Sequence, residues 1–385
     1  MKTVFSFSTP LLYLVDAFTY VITMVVRAMR HTGHRRPLFT TSIILSILCF
    51  VWLLKQSYAS LSWREESPSF STNRIAKVSM LYGEPNRLYE RALQSHSRHA
   101  RRWGYPMHIL RQDISVGFWN KPSYLLSLVI NELAKPPEER VDWLMWVDAD
   151  SIILNGAVPA EIFLPPSDLD NIHFVATKDH NGLNTGIIFL HVHPWTINML
   201  VESLAYPQYF PNENLGRSVD QESMARVLNK TAGGPEGQGY KDGRVYLPRT
   251  WINTYEWTHA YEGKKGNLLV HFPGLEEQRW SHMSKWLDVI EIMPGEWEVP
   301  LEKTEYLNQT TAFWARLRTA RETITLMEEK VGLMPNGTLR QIDEVQKTQM
   351  AIGELKRVLQ EEADNVEVVQ QRLQELNTIK ESISV

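Results

Sequence analysis

The chain has 385 residues, 43% of them hydrophobic, enough for one sizeable core with an appendage. Its 40 basic and 44 acidic side chains leave a net charge of −4 with no basic domain standing out, which argues against nucleic acid as a partner. A single cysteine, Cys49, lies inside an apolar run, so no intrachain disulfide can form.

In chain order the first elements concern a membrane. Residues 38–54, LFTTSIILSILCFVWLL, are uncharged and mostly apolar, the lower end of what a bilayer span needs. Arg27, Arg30, Arg35 and Arg36 stand before the run within a basic tail over residues 1–37, and only Lys55 and Arg64 follow it closely. The positive-inside rule keeps the basic side cytosolic. No convincing small-residue cleavage site follows, which favours an anchor over a signal peptide. Residues 4–26 form a second apolar segment, interrupted by Pro10 and Asp16, that reads as another span, an interfacial helix or an over-extended start. Either topology makes the rest of the chain lumenal. Residues 55–74 read as a polar, serine-rich stem, and sequons at Asn229, Asn308 and Asn336 lie downstream on the same side.

A globular domain is expected over residues 75–300. Residues 76–83 read as a strand ending in glycine, 86–103 as a helix, 107–110 as a strand and 123–133 as a helix. Next comes Trp143 to Val147, an apolar run expected to be a strand buried on both faces. Strand, helix, strand, helix, strand is the pattern of a nucleotide-binding α/β unit. With no G-x-G-x-x-G and no P-loop, the usual dinucleotide and kinase readings fall away.

The buried run ends in Asp148-Ala149-Asp150. Ligands bind at the carboxyl end of strands in open α/β sheets, and two aspartates so spaced can turn toward one divalent cation, which would clamp a diphosphate. A D-x-D is expected about once by chance in such a chain, and a strand-end turn with helix-capping aspartates is the plain alternative. A second copy, Asp168-Leu169-Asp170, follows Pro165-Pro166-Ser167 without a strand and reads as solvated loop charge.

Beyond it, residues 172–177 read as a strand, 179–186 as a glycine-and-asparagine turn suited to a sugar, and 187–191 as a strand. A plain hairpin turn is the alternative for the turn. Residues 219–228 read as a helix in which Asp220 could be an N-cap, and 267–274 as a strand delivering His271 into a loop. A histidine at a strand end is more often hydrogen-bonded structure than ligand. Over residues 301–385 two helices are expected, 309–330 and 340–379. Val345, Ile352, Leu359, Val366 and Leu373 recur at heptad spacing in the second, partnered by Leu355, Val369 and Leu376, which fits either a helical hairpin on the domain or a coiled coil joining a homo- or hetero-oligomer.

Taken together, W-x-K-P at 119–122, D-A-D at 148–150, N-T-G at 184–186, D-Q-E at 220–222, R-T-W-I-N-T-Y at 249–255 and H-F-P-G at 271–274 resemble glycosyltransferase family 34. This is the fungal galactosyltransferase and mannosyltransferase family that includes plant xyloglucan xylosyltransferases, and the resemblance runs over residues 75–291. It implies an α/β GT-A fold and a single-pass type II Golgi membrane enzyme, with its catalytic domain lumenal. Such an enzyme moves a hexose with retention from a nucleotide sugar, UDP-galactose or GDP-mannose ahead of UDP-xylose, to a glycan acceptor. By position, Asp148, Asp150 and His271 match the ligands of Mn²⁺ or Mg²⁺. Asp220 and Gln221 match the pair near the anomeric carbon, Asn184, Thr185 and Gly186 the turn lining the sugar site, and Lys121 and Asn253 further substrate positions. Plant members carry a lysine where this chain has Glu276, and Arg279 is the nearest basic substitute for contact with the diphosphate. A non-catalytic subunit of a Golgi glycosyltransferase complex is the alternative, and the intact motifs favour the enzyme. A lumenal metal-dependent phosphohydrolase is disfavoured, because no further ligand cluster accompanies D-A-D.

Overall fold

Apolar runs separated by helix caps set the order of elements. In the computed structural model, which describes residues 74–334 apart from 235, 236 and 238, and residues 338–383, strand β1 (Ile75–Met80) leads into helix α1 (Arg87–Trp103). The Asn86 side chain accepts from the backbone N–H groups of Leu88 and Tyr89, and Gly104 ends the helix at a φ of 76° that only glycine adopts freely. Strand β2 (Met107–Leu110), helix α2 (Asn120–Leu133) and strand β3 (Trp143–Val147) complete the unit. The helix starts three residues before the expected Ser123, so Lys121 lies in its first turn.

After β3 come β4 (Ser151–Ile153), β5 (Phe174–Asp179), β6 (Gly182–His191), α3 (Pro194–Tyr209), α4 (Val219–Leu228), β7 (Arg244–Tyr246), α5 (Arg249–Ile252), β8 (Leu269–His271) and α6 (Gln278–Ile292). Six strands form a mixed sheet in the order β2-β1-β3-β6-β5-β7, and β4 pairs with β8 in a separate two-stranded sheet. β1 runs parallel to both β2 and β3, while β6 is antiparallel to β3 and β5. The chain thus moves outward from β1 to β2, then returns past β1 to β3. That reversal is a switch point, and the Asp148 end of β3 opens onto it.

Alternation along β3 feeds two cores. Leu144 and Trp146 face α2, α3 and α4 with Leu125, Met199 and Met224. Trp143, Met145 and Val147 face the other side, with Phe163, Trp251 and the C-terminal helices α7 (Tyr306–Leu333), α8 (Leu339–Glu361) and α9 (Val366–Ile383). Phe313, Leu317 and Ile324 of α7, Ile352, Leu355 and Leu359 of α8, and Val369 and Leu376 of α9 belong to that same cluster.

Two expectations need correcting here. The continuous helix over 340–379 is two helices: the backbone breaks at Glu362 and restarts at Val366, which stays exposed instead of continuing the heptad seam. The apolar stripe turns a corner to stay on the domain, which is the packed-hairpin alternative extended to three helices. Nor is 179–186 one turn. Asp179 pairs with Gly182 around a two-residue hairpin, so Asn184, Thr185 and Gly186 lie inside β6. The Asp168 loop is tied down too, since Asp168 pairs with Arg318 of α7.

The expected anchor, the apolar segment before it, most of the stem, Cys49 and the Asn336 sequon lie outside the described residues. Among the described residues no helix is long and apolar enough to cross a membrane.

Candidate active site

Strand pairing assembles the acidic pair and the histidine. The Asp148 N–H donates to Gly186 O (2.8 Å), and Trp146 Nε1 donates to Asp148 Oδ1 (2.6 Å). Antiparallel pairing of β4 with β8 sets His271 opposite Ser151, beside Asp150, whose carbonyl accepts the N–H of Phe272 (3.1 Å). One ligand atom each from Asp148, Asp150 and His271 lie within 4.8 Å of one another.

The imidazole is oriented by Asn253. Its Nδ2 donates to Thr177 Oγ1 (3.0 Å) and Asn184 Oδ1 (2.8 Å), which leaves Oδ1 to accept from His271 Nδ1 (2.8 Å). Nε2 is thereby the ring nitrogen that faces Asp150 Oδ1, 3.3 Å away. Burial would push the Asp150 carboxyl up, but His271 and Arg279 outweigh it and hold it below its ordinary value. Two carboxylates and one imidazole facing a common point suit a hard or borderline divalent cation.

A second group abuts the first. Lys121 Nζ lies 3.0 Å from Asp148 Oδ1 and 4.0 Å from Asp220 Oδ2, and donates to Thr185 O (3.1 Å). Burial would lower the Lys121 ammonium, but Asp148 and Asp220 carry it above its ordinary value. Asp220 is not the N-cap. Ser218 holds that position, and Asp220 is buried in the first turn of α4, where burial and then Asp148 raise its carboxyl against the opposing pull of Lys121. Gln221 Oε1 accepts from the N–H of Thr185 (2.9 Å), fastening α4 to β6.

The N-T-G residues act through the strand. Asn184 Oδ1 accepts from the N–H of Gly186 (2.9 Å) as well as from Asn253, and its Nδ2 donates to Asp179 Oδ2 (3.2 Å). Gly186 lies directly under the imidazole, where a Cβ would overlap His271 Cε1 and sit 3.0 Å from Nδ1. Arg279 Nη1 is 3.3 Å from Asp150 Oδ2 and donates to Tyr89 OH (2.9 Å), while its Nε is buried with no hydrogen-bond partner among the described residues. Glu276, with a left-handed φ of 45°, is exposed. The structure therefore brings together all eleven residues singled out in the sequence, with Asn253, Asn184 and Gly186 supporting the imidazole from behind.

Four contributors were not anticipated. Trp146 shares a strand face with Asp148, so alternation could have found it. Asp179 and Tyr255, whose hydroxyl donates to Asp179 Oδ2 (2.8 Å), stand in the stretches 179–186 and 249–255 without a role of their own assigned there, and Tyr89 reaches the site through tertiary packing with no local signal.

Residues 167–281 match the galactosyl transferase GMA12/MNN10 family, a span that covers Asp220, Gln221, Asn253 and His271. The family resemblance is borne out. Relatives include an alpha-1,2-galactosyltransferase of Schizosaccharomyces pombe, 22% identical over 219 residues, which are 47% of this chain and 55% of that protein. The chain thus spans about half the length of that relative. An uncharacterized alpha-1,2-galactosyltransferase of the same yeast is 22% identical over 340 residues, 77% of this chain and 87% of that protein. Among solved structures, a glycosyltransferase involved in glycosylation of the major capsid of PBCV-1 is 16% identical with a TM-score of 0.44, covering 55% of this chain and 99% of that one. The glycosyltransferase GlyE of Streptococcus pneumoniae TIGR4 is 14% identical with a TM-score of 0.33, covering 59% and 65%.

Proposed function

We propose that this chain is a metal-dependent, retaining galactosyltransferase of GT-A type that moves galactose from UDP-galactose to a glycan. The observation that carries this reading is the convergence of Asp148, Asp150 and His271 with Lys121 and Asp220 at the sheet's switch point. The α-1,2-galactosyltransferase names of both yeast relatives favour galactose. UDP-galactose is α-linked, so an α-linked product means retention.

Asp148, Asp150 and His271 would hold Mn²⁺, which when bound supplies Lewis-acid neutralisation of a diphosphate leaving group. Arg279, with Nε unpartnered beside Asp150, adds fixed positive charge for the same diphosphate in place of the missing lysine. Lys121 keeps Asp148 and Asp220 from repelling each other and orients both. Asp220, buried beside Lys121, is the group placed to stabilise positive charge developing at the anomeric carbon, and Gln221 fixes the helix that carries it. In this reading the acceptor attacks on the face the diphosphate leaves, and the departing phosphate takes the acceptor proton. A Golgi-lumenal, membrane-anchored setting completes the proposal, supported by the apolar run at 38–54, the basic residues before it and the sequons after it.

The test is turnover of UDP-galactose, GDP-mannose and UDP-xylose by the full chain with Mn²⁺, beside Asp150→Ala and His271→Ala. UDP release from UDP-galactose should fall about a hundredfold or more in each variant. Undiminished turnover in both would refute the metal assignment, and turnover of GDP-mannose alone would refute galactose.

A further inference from the structure

The loop between β2 and α2 holds apolar side chains in water by design. Ile114, Val116 and Phe118 are 47%, 81% and 52% exposed, within five residues of chain. Such exposure would be unremarkable in a loose segment, but this one is built around a fully buried amide. Asn120 Oδ1 accepts from the N–H groups of Ile114 (2.7 Å) and Ser115 (2.8 Å), and its Nδ2 donates to the carbonyls of Ser115 and Gly117 (2.9 Å each). All four bonding positions of the amide are used on one loop. Gly117 supplies the left-handed residue at its apex, with a φ of 55°. The Trp119 N–H closes the turn on Val116 O (3.1 Å).

Its location gives the loop a purpose. β1, β2 and β3 are parallel, so the segment after β2 lies on the same carboxyl edge as Asp148. Asn120, which shapes the loop, is followed directly by Lys121, which reaches Asp148 and Asp220. The turn at Gly117–Trp119 also packs against α4, the helix that carries Asp220 and Gln221. An apolar lip held in shape by the Asn120 amide therefore borders the side of the site formed by Lys121 and Asp220.

We propose that Val116 and Phe118 form the acceptor platform, binding a pyranose ring of the glycan by its C–H face. This rests on the glycosyltransferase reading. A sugar ring has one apolar C–H face and a polar rim, and an exposed aromatic beside an aliphatic side chain covers that face without asking for hydrogen bonds. The donor diphosphate is matched by cationic and metal-ligating groups, so apolar side chains beside Lys121 and Asp220 suit the neutral reactant.

The experiment measures donor hydrolysis and transfer separately in the full chain, with UDP-galactose, Mn²⁺ and a panel of neutral mannose, galactose and glucose oligosaccharides. Phe118→Ala should raise the acceptor KM about tenfold while the donor KM moves less than twofold, and Phe118→Trp should restore the acceptor KM. Val116→Ser should act in the same direction more weakly. If Phe118→Ala raises the donor KM instead, the lip serves the nucleotide and the inference is overturned. It also falls if donor is hydrolysed but no oligosaccharide accelerates sugar release, or if acceptor KM is unchanged. Absence of donor turnover in wild type, by contrast, would refute the glycosyltransferase reading itself.

Discussion

His271 can serve a cation only through Nε2, because Asn253 claims Nδ1, and Asn253 is in turn fixed by Thr177 and Asn184. Removing such a support costs a ligand its tautomer and direction, so Asn253→Ala should weaken Mn²⁺ affinity by about 10- to 100-fold. Titration of Mn²⁺ by electron paramagnetic resonance checks this, and unchanged affinity would show the bond to be incidental. Gly186→Ala attacks the same ring from below, since the new methyl group occupies the space of Cε1. A displaced imidazole should lower turnover about a hundredfold, and the overpacking should cost about 1–3 kcal/mol of stability. These supports explain what the sequence could and could not show. D-A-D followed a recognisable buried strand, but N-T-G looked like a turn because glycine and asparagine usually mark one. Here glycine is needed for the close approach of His271 and asparagine for bonding within the frame.

Between α1 and β1, a different polar cluster joins two elements. Lys77 on β1 is fully buried with its Nζ 3.0 Å from His96 Nδ1 and 3.2 Å from His99 Nδ1, and both rings reach across to backbone carbonyls, Ser151 O and Val158 O. Among the described residues no carboxylate faces the ammonium, and burial lowers its pKa from 10.5 to about 7. Burial, then Lys77, keeps both imidazoles well below their ordinary value. The sign follows from proton counts. Between about pH 7 and 10.5 the unfolded chain binds the Lys77 proton and the folded chain does not, so this group's contribution to stability rises with pH across that window. Below it the burial cost is fully present. Lys77→Met should remove a slope of roughly 1 kcal/mol per pH unit from the wild-type stability curve, read by denaturant titrations from pH 7 to 10. Parallel curves for the two proteins would contradict it. β1 and α1 themselves were legible from apolar periodicity, whereas a lysine in a buried strand carries no sequence signal for what meets it.

Across the whole molecule, the C-terminal helices complete the core on one face of the sheet. Phe313 and Trp251 meet edge to face with centroids 5.7 Å apart, and Glu361 at the end of α8 pairs with Lys178 of β5 and with the buried Arg244 of β7. Glu361→Ala leaves a buried guanidinium short of its countercharge and should destabilise the fold by about 3 kcal/mol, measured by urea denaturation. The heptad spacing disclosed an apolar stripe but not its partner, because packing on a sheet and packing on another helix require the same periodicity. The break at Glu362 settles on the sheet by letting the stripe turn. The central claim, that Asp148, Asp150 and His271 form a metal site for a nucleoside diphosphate, is tested most directly by calorimetric titration of UDP into the full chain, with Mn²⁺ and after its removal by chelation. The account predicts that binding weakens by about two orders of magnitude without metal and equally in Asp150→Ala. UDP binding of the same strength with and without Mn²⁺ would contradict it.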